Sequence, residues 1–253
     1  MKNQNRISKI ISVILITLSM VYFSSCKKEE VTLKNIDHSS SDLVNVGERF
    51  CNSQLFPVNS HPYGHCYSQW SAKWWKWAME FPVAGHPFND DPAFDVSQNQ
   101  TGQVWYLAAP FGTVVRNCNI PHNKALFVGL LTAEASNLEG LGITFADQHA
   151  NAKFNADHIQ GLTCTLDGST VNNINSYRFA SAQFSFTAPS PWIFGALGGA
   201  GTSSADGYYL MFKPLHIGVH VLHYTGNFHF AIAEGDPFDF DAAIDMTYNL
   251  NAQ

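Results

Sequence analysis

The chain has 253 residues, 45% of them hydrophobic and only 13% charged, enough for one full-sized core or two small ones. Aromatics reach 13%, and Gly, Asn, Ser and Thr are abundant, which suits an exported β-rich protein better than a cytosolic helical one. The formal net charge is -6, and without the first 25 residues, which carry Lys2, Arg6 and Lys9, it is about -9; no basic patch remains, which argues against a nucleic-acid partner.

Residues 1–25 read as an export signal: a basic start followed by the apolar run IISVILITLSMVYF, about 14 residues and too short to span a bilayer comfortably. The segment ends Phe23-Ser24-Ser25-Cys26, which resembles a bacterial lipoprotein box with Phe23 where leucine is usual. The resemblance implies that Cys26 is lipidated and becomes the new N-terminus. Each buried CH₂ of an acyl chain contributes roughly 0.8 kcal/mol, so a multiply acylated Cys26 anchors firmly to the membrane. Lys27-Lys28-Glu29-Glu30 resembles the surface-export signal of Bacteroidetes lipoproteins, which implies the outer membrane or cell surface. Residues 26–60 read as a polar tether, and residues 61–253 as a single domain.

The domain opens on YGHCYSQWSAKWWKWAMEFP, residues 63–82, which holds four of the six tryptophans. At helical spacing Tyr67, Trp70, Trp74, Trp77 and Phe81 share an arc of roughly 80°, with Gln69, Lys73, Lys76 and Glu80 opposite. Ser68 is the expected N-cap and Pro82 the stop, which predicts a helix over 69–80 packed by its aromatic ridge on a β-rich body. Trp75 lies off the ridge and is the expected exposed stacking residue, suited to sugar rings.

Cys51, Cys66, Cys118 and Cys164 are even in number in an exported chain, which invites disulfides. Their order suggests Cys51–Cys66 and Cys118–Cys164, one of three possible pairings.

Apolar-alternating runs at 103–108, 124–131, 163–166, 177–187, 208–212, 219–224, 228–233 and 244–250 read as strands. Asp167-Gly168 signals a type I′ hairpin, residues 213–218 a turn, and Thr225-Gly226 another. Residues 145–154 read as a short helix across one end. About eight strands at this spacing predict a mainly β fold, a β-sandwich or jelly-roll-like domain with the Trp-rich helix packed on it.

Several motifs resemble an uncharacterised family of exported bacterial proteins. They are Y-G-x-x-Y-x-x-W-x-x-x-W-W-x-W at residues 63–77, G-x-V-W-Y-L-A at 102–108 and R-x-C-x-I-P-x-x-K at 116–124, then D-G-Y-Y at 206–209 and G-x-H-x-L-x-Y-x-G at 218–226. The family usually has a cysteine before G-x-V-W, where Val96 and Ser97 stand here. Asn123 replaces the usual glycine and is able to take the positive φ of a tight turn. The resemblance supports the fold and brings no catalytic residues.

Three constellations are candidates for chemistry. His216, His220, His223 and His229 are a possible divalent-metal set, though neither of two alternative registers about Thr225-Gly226 gathers three of them on one face. Glu234, Asp236, Asp239 and Asp241 form an acidic run without the order of an EF-hand. His86, Asn89, Asp90 and Asp91 form a polar turn after the helix able to frame a pocket. No nucleophile elbow, phosphate loop or dinucleotide fingerprint is present, and nothing in the sequence selects a glycosidase carboxylate pair. The expected function is binding of an extracellular ligand, a glycan by preference, by a lipid-anchored envelope protein. The alternatives are a metal-dependent enzyme using the C-terminal histidines and a structural protein that engages other envelope proteins.

Overall fold

In the computed structural model, residues 54–91 and 94–253 are described. The export segment, Cys26, the charge run after it and Cys51 lie outside the described residues.

The aromatic segment forms a helix, α1 (Tyr67–Met79), starting two residues before its expected position. Cys66, not Ser68, is the N-cap, and the Gln69 carboxamide oxygen accepts the Cys66 N–H at 3.0 Å. Tyr67, Trp70, Trp74, Trp77 and Phe81 are all buried, while Gln69, Lys73 and Lys76 face water, as the wheel requires. A buried indole N–H without an acceptor costs about 1–3 kcal/mol, and these are satisfied. Trp70 donates to the Pro62 carbonyl at 3.0 Å, Trp74 to Leu107 at 2.9 Å and Trp77 to Gln98 at 3.4 Å.

Among the described residues, ten strands make two five-stranded sheets. The first orders β1 (Val104–Leu107), β3 (Ala125–Ser136), β8 (Gly199–Phe212) and β6 (Arg178–Ala180), with β7 (Phe184–Ala188) also on β8. The second orders β2 (Gly112–Ile120), β10 (Phe240–Ala252), β9 (Gly218–Phe230), β4 (Ile159–Leu166) and β5 (Ser169–Thr170). One face of the first sheet packs on the second around Val128, Leu210, Leu222, Met246 and Leu250. Its other face packs on α1 through Phe127, Tyr209 and Met211. The first sheet is therefore buried on both sides, and β3 reads as a nearly continuous apolar run. The second sheet has one wet face, so β9 and β10 alternate buried and half-exposed residues. The chain is mainly β, a sandwich with the Trp-rich helix packed on it. Two pairs, β1 with β3 and β2 with β10, are parallel.

Asp167 and Gly168 have φ of 52° and 76°, the two positive values that a type I′ turn needs, and join β4 to β5. Thr225-Gly226 makes no turn: β9 runs straight through it, paired with β10 on one side and β4 on the other. Gly226 serves packing instead, since a Cβ there would lie 2.7 Å from a Leu162 methyl. Asn123 is not among the residues with positive φ. Residues 54–56, assigned to the tether by sequence, hydrogen-bond to the end of β8: the Phe56 N–H donates to Met211 and the Lys213 N–H to Gln54. The helix across one end is present as α2 (Phe145–Asp157), opened by a Thr144–Asp147 capping box.

The expected Cys118–Cys164 bond does not form. Cys118 on β2 and Cys164 on β4 are separated by β10 and β9, three interstrand spacings or about 14 Å, whereas a disulfide holds its Cα atoms within about 7 Å. Cys66 carries no disulfide either, and burial pushes the Cys118 thiol up to about 11, so it stays neutral.

Candidate functional site

β1 ends with Leu107 opposite Val128, but β3 runs on to Ser136 with only β8 beside it. Residues 129–134 thus present an open strand edge, and among the described residues no backbone hydrogen bond reaches it beyond the ladder with β8. A cleft of about 330 Å³ wraps round that edge. Trp74, Trp75, Phe88 and Phe194 wall it on the helix side, and Phe228, Phe230, Phe238 and Phe240 on the side of the second sheet. Its polar lining groups are Asn89, Asp90, Thr132, Glu134, Glu139 and Asn155; no Lys, Arg or His lines it among the described residues.

A β-bulge decides what the cleft contains. The register of β3 on β8 shifts between Gly129 and Leu131. Before it, Ala125 and Phe127 face α1; after it, Leu131 and Ala133 face the second sheet. The extra residue exchanges the two faces of the strand and turns Thr132, Glu134 and Ser136 towards the helix layer. Gly129 allows the close approach: a Cβ there would lie 2.6 Å from the Trp74 ring.

Glu134 is buried and hydrogen-bonded to Glu139, which follows β3 in the loop before α2. The Ser203 hydroxyl donates to Glu134 Oε2 at 2.5 Å and the Ser136 hydroxyl to Glu139 Oε2 at 2.6 Å. Burial, and then the neighbouring Glu139 charge, hold the Glu134 carboxyl well above the usual carboxylate range. Burial also raises Glu139, opposed by hydrogen bonds from Glu134 and Ser136. Glu134 is therefore the acid that donates and Glu139 the base that accepts. Such a pair offers one proton donor and one acceptor in an apolar pocket. Directly bonded carboxyls are too close for a glycosidase pair, which needs about 5–9.5 Å between them.

The pair makes stability depend on pH. An unfolded glutamate ionises near about pH 4.3. The contribution of Glu134 is thus fully present below that value and is lost as pH rises towards its raised folded pKa. In that window the loss runs at about 1.4 kcal/mol per pH unit. Glu134→Gln is expected to flatten this slope, so that urea unfolding at about pH 5 and about pH 8 shows the variant gaining on the native chain as pH rises. Parallel stability curves would show that Glu134 ionises normally.

The expected ligand residues surround this cleft in unexpected roles. Trp75 is 4% exposed rather than open, because the loops carrying Phe88 and Phe194 close over α1. Its indole N–H donates to the Tyr209 hydroxyl at 2.9 Å. His86 is fully buried; its Nδ1 accepts the Phe88 N–H at 3.1 Å, and burial lowers it to about 3, so it is neutral. Asp91 accepts the Gly85 N–H at 2.9 Å and so shapes the turn, whereas Asp90 stands at the cleft mouth. Arg116 of the R-x-C motif fixes this turn, donating to the carbonyls of Pro87, Asn89 and Ala108 at 3.1, 2.8 and 2.8 Å.

The histidines do not converge. His223 and His229 share the outer face of β9 six residues apart, about 20 Å along the strand. Each takes its own aspartate: His220 bonds Asp167 at 2.7 Å, His223 bonds Asp245 at 2.8 Å and His229 bonds Asp241 at 2.7 Å. His216 is exposed and gives its carbonyl to His220. No group of three or more His, Cys, Asp or Glu among the described residues is placed to hold a metal ion. In the acidic run, Asp236 and Asp239 accept the N–H groups of Ala231 and Ile232 and close their own loop.

No family model matches this chain, and no similar protein is found among curated sequences or solved structures. The cleft's chemistry therefore has to be read from its own residues. Glu134 and Glu139 are not among the residues that the sequence pattern singled out. The available signal was a lone carboxylate within ALFVGLLTAEAS, an otherwise apolar stretch whose strand was expected to stop at Leu131.

Proposed function

We propose that this chain is a lipid-anchored envelope protein that binds a small amphipathic molecule, with its apolar body between the aromatic walls and its polar head at Glu134 and Glu139. The observation that carries this reading is the cleft: about 330 Å³, aromatic on both walls, with its polar groups gathered in a few places. Small-molecule sites share that design, with volumes of roughly 300–1,000 Å³. Attachment through Cys26, at the outer membrane or cell surface, rests on the N-terminal sequence alone; no helix among the described residues is long and apolar enough to cross a membrane.

A glycan fits this cleft less well. Each sugar hydroxyl taken from water needs a partner, and the aromatic walls supply none. Stacking on Trp75 would need an open indole face, whereas that ring is covered by Phe88 at 5.5 Å and Trp74 at 5.2 Å.

Trp74 and Trp75 make the cleft self-reporting. Titration of the full chain with octan-1-ol is expected to change indole fluorescence saturably at one site. Phe238→Ala, which removes one wall, is expected to weaken binding about tenfold, the equivalent of about 1.4 kcal/mol. A linear, unsaturable response to octan-1-ol, octylamine and octanoate alike would overturn the reading.

A further inference from the structure

We infer that the head group taken by the cleft is a protonated amine, so that the ligand class is a cationic amphiphile. This rests on the cleft reading above and deepens it. The cleft is lined by three carboxyl groups, Asp90, Glu134 and Glu139, and among the described residues by no cation. Two nearby guanidinium groups are committed elsewhere. Arg178 bonds Asp206 at 2.9 Å and Asp157 at 2.7 Å, and Arg116 binds backbone carbonyls behind the turn. A carboxylate or phosphate head would meet only like charge. An alcohol would leave the Glu139 charge uncompensated in a cleft whose apolar walls strengthen every electrostatic contact.

An ammonium group matches what is there. It has three N–H donors and no acceptor. Glu139 supplies a carboxylate already oriented by the Ser136 hydroxyl at 2.6 Å, and a charge-assisted bond of this kind is about twice as strong as a neutral one. The open edge of β3 at residues 129–134 adds carbonyl oxygens for the remaining protons. Burial raises both carboxyls and Glu134 the further, so Glu134 is the one that holds the proton and Glu139 the one that ionises first.

The titratable group facing Glu134 from β8 is Tyr209, and Asp90 lines the mouth of the cleft. The α2 helix contributes only the uncharged Asn155 to the cleft, and α1 contributes only Trp74 and Trp75.

Three probes with the same eight-carbon chain test this: octylamine, octan-1-ol and octanoate, titrated into the full chain and followed by calorimetry and indole fluorescence. Octylamine is expected to bind at least about tenfold tighter than octanol, with octanoate weakest. Amine affinity is expected to fall as pH drops and Glu139 takes up a proton, while octanol affinity stays level. Glu139→Gln is expected to erase most of the octylamine preference, bringing its affinity to within about twofold of that of octanol on the same variant. Equal binding of all three probes, or tightest binding of octanoate, would overturn the amine assignment and leave the cleft reading intact. Failure of every probe to bind would instead remove the cleft reading. The probe ranking and pH profile are read on the native chain, so the test survives a Glu139 variant that does not fold.

Discussion

Trp74→Ala is expected to lower the unfolding free energy by about 3–5 kcal/mol, the range for removing a buried tryptophan from a core. Net stability for a domain is about 5–15 kcal/mol, so the variant stands near the threshold of folding. The expected size follows from the position of the ring. Trp74 is 2% exposed, packs against Trp75, Trp77, Phe88 and Tyr209, and lies over Gly129 where no other residue would fit. Its loss also leaves the Leu107 carbonyl, now bonded at 2.9 Å, without its donor. Trp74→Phe keeps most of the apolar area and is expected to lose about half as much. Urea denaturation monitored by circular dichroism measures both. A loss below about 1 kcal/mol for the alanine variant would mean that α1 is not fastened to the first sheet by this ring.

Arg178→Ala is expected to cost a further about 3–5 kcal/mol, because it leaves a buried carboxylate with no counter-charge. The Arg178 guanidinium bonds Asp206 through two nitrogens, at 2.9 and 3.1 Å, and reaches Asp157 at the end of α2 at 2.7 Å. One side chain thus ties β6, β8 and α2 together. Asp206 is 5% exposed and cannot recover the lost pairing from water. Adding Asp206→Asn to the alanine variant removes the stranded charge and is expected to restore more than half of the loss. If the double variant is no more stable than the single one, the penalty comes from packing of the arginine stem and not from charge.

Much of the fold was legible because it is written in local patterns. The Trp-rich helix follows from five aromatics at helical spacing, and the β4–β5 hairpin from Asp-Gly, which accepts two positive φ values. The alternation of β10 marks a strand with one wet face. The departures each have a tertiary cause. Thr225-Gly226 carries a turn signal that was overridden by two flanking strands and by the Leu162 side chain lying against Gly226. β2 was passed over because its apolar residues are few and separated by Asn and Arg. Trp75 was expected to be open because the wheel counts only the sheet as cover, whereas two loops cover the opposite flank.

The candidate site was much less legible than the fold. His86, Asp90 and Asp91 were picked out as a polar turn near a pocket, and that turn does border the cleft, though only Asp90 reaches its mouth. Glu134 and Glu139, which give the cleft its polarity, were not singled out. Glu134 reaches the helix side only because a bulge at Gly129 exchanges the faces of β3, a one-residue event that no periodicity announces.

The sequence by itself determined the amphipathic helix, the two-layered β architecture and the acidic, aromatic-rich character of the chain, since these depend on spacing and composition along short stretches. Only the tertiary structure decided where the chain is open and what faces the opening. The early end of β1, the bulge in β3 and the meeting of Glu134 with Glu139 depend on contacts between segments far apart in the chain. Burial in a shared apolar space, which no single segment encodes, turns two ordinary glutamates into a proton-sharing pair.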